Sequence, residues 1–219
     1  MGELIAALFP EMLGLIVTPA AIAGCVLLLQ SRRAVANAAA FAAAFLVVYG
    51  QVAVTALLGG AAQSNSTAET VSHWAGLVVG VMFLVAGAWV WVRRPAADTA
   101  PPKFLTELEA AGPRKAFSAG LVLAIVNPNL FIMMSGMSVI ASSPTTTASA
   151  LVGTALLLLA AALDFLIPIG LYLALGDRAR TGLDRAKEWM LRNNRRLSIG
   201  VLIGFGALFT IRGVLNLTG

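Results

Sequence analysis

The chain has 219 residues, 59% of them hydrophobic and only 11% charged, with a formal net charge of +5 and a mean hydropathy of +0.88. A soluble domain averages about 45–50% apolar and about 25% charged, so this composition excludes a soluble enzyme, a disordered regulator and a disulfide scaffold and leaves an integral membrane protein. At roughly 20 apolar residues per crossing the chain holds about six spans and no soluble domain.

The first 29 residues carry Glu3 and Glu11 but no Lys or Arg before Arg32. A secretory signal starts with positive charge, so this stretch reads as a retained span 1 at 4–29, interrupted by Pro10 and by Thr18-Pro19. After the turn Ser31-Arg32-Arg33, span 2 occupies 35–58. A polar loop from Gly59 to His73 leads to span 3 at 74–92, with tryptophans at both ends as head-group anchors. Residues 93–115 form a charged, proline-containing linker that divides the chain into halves, 1–92 and 116–219. Span 4 at 116–140 is broken by Asn127-Pro128-Asn129, and span 5 at 148–174 contains Asp164 and Pro168. Residues 176–196 are basic and amphipathic, fitting a short helix in the head-group layer. Span 6 occupies 197–215 and carries Arg212 near its end.

Charge fixes the orientation. With six spans, the segments 31–34, 93–115 and 176–196 share one side, and they hold fourteen of the fifteen basic residues; Arg212 is the other. Positive loops stay in the cytoplasm. Both termini are therefore expected on the extracytoplasmic side of the inner membrane, with the basic face against membrane lipids. The +5 charge is then a topology signal and not a nucleic-acid footprint.

Three spans on each side of the linker make the second half an upside-down copy of the first, the inverted-repeat plan of many transporters. Pro19 in span 1 and Pro128 in span 4 stand 109 residues apart; the same offset carries span 2 to 144–167, close to span 5, and span 3 to 183–201, which only partly overlaps span 6. A proline within a span frees a carbonyl and bends the helix, and irregular backbone persists at membrane depth where protein or a wet cavity satisfies it. Prolines are also common in membrane helices for no such reason. Paired breaks at equivalent positions point to a transport site.

At 1.5 Å per residue across a core of about 30 Å, Thr18, Asn127, Asn129 and Asp164 fall in the cytoplasmic and middle part of the membrane. Glu11 and Arg212 fall in the outer third. An ionisable group inside a span is a functional candidate by default. Asp164 suits a proton relay, a cation contact or a substrate hydrogen bond; its alternative is a structural acid bonded to a neighbouring helix. Glu11 and Arg212 suit an ion pair joining spans 1 and 6, or two side chains reaching for the outer head groups. His73 reads as interfacial and Cys25 as a packing residue. Gly76, Gly80 and Gly87, with Gly200, Gly204 and Gly206, read as close-packing positions that also permit a homodimer.

Six spans with Thr18-Pro19, Asn127-Pro128-Asn129, Asp164 with Pro168, and Arg212 resemble the lysine-exporter superfamily. Within it they resemble most the branch of glycopeptidolipid- and sulfolipid-addressing proteins. The resemblance implies outward transport, and for that branch delivery of envelope glycolipids to the surface. Amino-acid exporters of the superfamily carry Pro-Gly-Pro in span 1, where this chain has Pro19-Ala20-Ala21. Its thiol-conduit members use paired membrane cysteines, where this chain has Cys25 alone.

The expected function is thus export of an envelope lipid or glycolipid, with or without proton coupling, through a site of Asp164, Asn127, Asn129, Thr18, Pro19 and Pro128. Glu11 and Arg212 sit near its outer exit. No metal site or cofactor is expected, since one deep carboxylate does not make a metal cage. Two other readings are a proton-coupled exporter of a small polar solute and a non-catalytic scaffold of an export machine. Enzymatic activity is not expected, because Ser135 and Ser138 in span 4 have no base beside them.

Overall fold

The computed structural model describes residues 2–60, 66–92, 112–144 and 146–218, and every regular element among them is an α-helix. In chain order these are α1 (Gly2–Ile16), α2 (Pro19–Leu29), α3 (Ala34–Gly60), α4 (Ser66–Val92), α5 (Pro113–Val126), α6 (Asn129–Ser142), α7 (Thr147–Leu175) and α8 (Asp177–Thr218). Three helical stretches are long and apolar enough to cross a membrane alone: Ala34–Leu58, Thr147–Leu175 and Arg195–Leu215. The bent pairs α1–α2 and α5–α6 pass the same test as single crossings, which raises the number to five. Leu77–Val92 in α4 is an apolar helix below that length. The protein is therefore a membrane-embedded helical bundle. Linker residues 93–111, the side chain of His73 and the surroundings of Gly76 lie outside the described residues.

Both breaks have the same cause. The residue before a proline is driven out of the helical region by the proline ring. Thr18 before Pro19 has φ −112° and ψ 87°, and Asn127 before Pro128 has φ −73° and ψ 130°. The chain turns by 47° at the first break and by 65° at the second. Pro19 then occupies the first turn of α2, where its missing N–H costs nothing.

Packing follows the hydrophobic stripes. On α3 the i, i+4, i+8 positions Phe41, Phe45 and Tyr49 form one buried face. Phe165 of α7 packs into it, with ring centroids 5.9 Å from Phe41 and 5.0 Å from Phe45. On the opposite, outward faces stand Phe9, Leu13, Val47, Val85 and Leu173, all exposed. Large apolar side chains turned outward in this number are what lipid-facing helices carry.

α4 and α8 lie along one another with backbones in close approach. A Cβ on Gly80 would stand 2.6 Å from the Thr210 nitrogen, and one on Gly206 would stand 2.9 Å from the Leu84 nitrogen. Contacts ascending α4 descend α8, so the two are antiparallel. Gly87 and Gly213 belong to the same seam, whereas Gly200 and Gly204 face open space. Of the expected glycine set, Gly80, Gly87 and Gly206 are thus close-packing positions and Gly200 and Gly204 are not.

α8 differs from the sequence expectation in its extent. The amphipathic segment 176–196 and span 6 are one uninterrupted helix of 42 residues, about 63 Å long at 1.5 Å per residue. Its basic first part carries no helix breaker that would stop it before the apolar part begins. That first part also packs on protein: Ala179 and Leu183 are buried, and α8 contacts α2. Gln30 at the end of α2 donates its side-chain amide to Asp184, and Lys187 Nζ lies 3.1 Å from Asp184 Oδ1. Further along, Arg195 donates to the carbonyls of Val90 (3.2 Å) and Trp91 (2.6 Å), satisfying the C-terminal end of α4.

A buried polar cluster at two helix breaks

The two bent spans cross so that their breaks meet α7. α1 packs on α6 and α7, and α2 on α7. At the junction, Asn129, the first residue of α6, turns its side chain back to α1. Its Nδ2 donates to the Gly14 carbonyl at 3.2 Å and to the Thr18 hydroxyl. The Gly14 carbonyl is within reach because the bend at Thr18-Pro19 interrupts the ladder of α1. Asn127 is used locally: its Oδ1 accepts the Asn129 backbone N–H at 3.0 Å, capping the start of α6.

Asp164 on α7 completes the cluster. Thr18 stands beside it. A hydroxyl has one proton to give: that of Thr18 points to the Leu15 carbonyl at 3.4 Å, while its oxygen accepts from Asn129. Asp164 is 4% exposed, yet its Oδ1 is buried with no partner. Cys25 on α2 and Tyr49 on α3 lie close enough to be coupled to its charge. Four helices, α1, α2, α3 and α7, thus surround one carboxyl, and no cation among the described residues is paired with it. A buried polar oxygen without a partner is costly, and such a site marks where a proton or a ligand group can be held.

A second polar cluster lies toward the other end of α1. Glu11 is completely buried, and its Oε1 accepts from Arg212 of α8 and from the Ser135 hydroxyl of α6 at 3.2 Å. A second guanidinium nitrogen of Arg212 reaches the Ala7 carbonyl at 3.3 Å. Arg212 itself is partly exposed, its side chain at 35%. Ser135 as a carboxylate partner is a residue the sequence reading missed. A partial signal was available: Glu11 lies seven residues before Thr18 and Ser135 six after Asn129, so antiparallel helices bring the two to nearby levels.

Of the sequence-predicted residues, the structure brings Asp164, Thr18, Asn129, Asn127, Pro19 and Pro128 to one junction and pairs Glu11 with Arg212 some distance away. Polytopic helical membrane proteins with polar groups collected at helix breaks form the class that this arrangement defines. Within that class, the family model for Sap, the sulfolipid-1-addressing protein, matches residues 12–215, and the chain belongs to that family. The matched range takes in both breaks, Asp164 and Arg212. No curated protein and no solved structure is matched by the chain.

Proposed function

We propose that this protein exports an amphipathic envelope lipid, with a sulfated glycolipid as the substrate class that the family description suggests. In this reading the chain crosses the cytoplasmic membrane six times as two inverted three-span repeats, as in the lysine-exporter superfamily, with both termini outside. The observation that carries it is the meeting of two proline-broken spans at a buried carboxyl with an unpartnered oxygen. Broken spans at equivalent places in two halves are where secondary transporters hold substrate and coupling ions.

The packing supports the repeat. Exchanging the halves turns the α1–α7 contact into α5–α3 and the α2–α7 contact into α6–α3, and all four occur. The α4–α8 and α3–α7 contacts map onto themselves. Helix directions fit alternating passes, since α1–α2 runs antiparallel to α6 and parallel to α7, while α4 opposes α8. In the site, Asn129 and Thr18 fix the geometry and Asp164 exchanges a proton with the transport cycle. Catalysis of a covalent step is no part of this proposal.

The test is reconstitution in proteoliposomes with a fluorescent, acyl-labelled sulfated glycolipid, followed by quenching of the label from one side. An imposed proton gradient should accelerate its movement between leaflets, and Asp164→Asn should abolish that acceleration. Equal, pH-independent movement in wild type and variant would remove the proton role. Proton flux driven by a small polar solute, with the lipid left unmoved, would replace lipid export by solute export.

A further inference from the structure

The Glu11–Arg212 pair is unlike the other charged contacts among the described residues. Lys187–Asp184 and the Arg195 cap lie in the basic region of the chain, whereas Arg212 stands 16 residues beyond Arg196 on α8, about 24 Å away. Glu11 is wholly buried, but only Oε1 is partnered, by Arg212 and Ser135; Oε2 is buried without one. The guanidinium has five N–H donors. Its contacts with Glu11 and Ala7 engage the two terminal nitrogens, and the side chain remains partly exposed. A guanidinium on a partly exposed side chain, backed by a buried acid, is half of a bidentate oxyanion site.

We propose that Arg212 binds the sulfate or phosphate head group of an amphipathic lipid, and that the head group displaces Glu11, which takes a proton as it is released. The inference rests on the lipid-export reading for the identity of its ligand. Displacement and protonation must go together. An oxyanion replacing Glu11 on Arg212 would otherwise strand a carboxylate in a fully buried position, which is far costlier than a neutral acid there. Oε2 is the atom that receives the proton, since Oε1 still has the Ser135 hydroxyl. The exchange is electroneutral: one anion and one proton enter together.

Other charges facing Glu11 are few. On α6 the facing polar group is Ser135; on α7 the nearest charged group is Asp164, at the break one helical stretch away; on α8 it is Arg212. On α1 itself Glu3 is exposed, eight residues from Glu11, about 12 Å along the axis. Glu11 is therefore the group whose protonation releases Arg212.

The experiment uses the full chain in nanodiscs of zwitterionic lipid, with sulfatide, galactosylceramide and inorganic sulfate as probes and native mass spectrometry as readout. Wild type should bind sulfatide but not the uncharged galactosylceramide. Affinity should rise on acidification by up to about tenfold per pH unit, the limit for one linked proton. Glu11→Gln, which mimics the protonated acid, should bind at neutral pH at least as tightly as wild type does in acid, with a flat pH profile. The double variant Glu11→Gln/Arg212→Gln keeps a neutral hydrogen-bonding pair for folding and should lose sulfatide.

Loss of binding in folded Glu11→Gln, or retention in the double variant, overturns the proposal. Inorganic sulfate binding as tightly as sulfatide overturns its lipid part. The expected binding pattern in a protein that moves no lipid between leaflets would leave this site standing and remove the export reading. Continued lipid movement in a double variant that still binds sulfatide would do the reverse.

Discussion

Two buried acids on neighbouring helices are handled in opposite ways. Glu11 meets a guanidinium and a serine hydroxyl, and its charge is matched inside the protein. Asp164 stands beside the neutral Thr18, with Oδ1 buried and unpartnered, and no cation among the described residues is paired with it. A matched pair holds helices together and is expensive to break. An unmatched acid adds little to cohesion, so its presence at the helix breaks fits the transport role proposed above. The difference separates an acid whose charge is matched by the protein from one whose charge is left unmatched.

The comparison can be broken or sharpened by substitution. The largest stability effect is expected for Arg212→Gln, which leaves a buried carboxylate alone and should cost about 3–5 kcal/mol, read as a lowered Tm of the detergent-solubilised protein. Glu11→Gln/Arg212→Gln should recover most of that loss. If the double variant is no more stable than the single one, the pair is not the source of the effect. Asp164→Asn should leave Tm nearly unchanged while abolishing proton-driven lipid movement; a large fall in Tm would make Asp164 structural. Thr18→Val removes the acceptor for Asn129 and the polar group beside Asp164, and should cost about 1–3 kcal/mol, with a weaker proton dependence of transport in the same assay. The smallest effect belongs to Arg195→Gln. It uncaps the end of α4 for about 0.3–1 kcal/mol, visible as faster amide exchange over the last turn of that helix.

Much of this was legible in the residues. Proline after Thr18 and after Asn127 dictates both breaks, because pre-proline sterics act locally. Depth counting put Glu11 and Arg212 at one level, and the structure pairs them. Three things were not legible. The division of labour between Asn127 and Asn129 depends on which amide faces α1 once the helix restarts, and spacing does not encode that. The unbroken course of α8 was hidden because its polarity changes near residue 196 while its helix propensity does not. The packing of Ala179 and Leu183 on α2 is a tertiary contact, and a basic amphipathic pattern looks the same whether it rests on lipid or on protein.

The continuity of α8 has a consequence for phase. Asp184, which meets Gln30 of α2, and Gly206, which meets Leu84 of α4, are 22 residues apart on one helix. At 3.6 residues per turn that is six turns plus about 40°, so both contacts leave α8 from nearly the same side. Their alignment is a count of residues and nothing else. One residue inserted near position 192 would swing the Asp184 contact by about 100° away from α2. Four inserted residues would bring it back to within about 40°, so the spacing of this stretch is under a constraint with the helical period, whatever its composition.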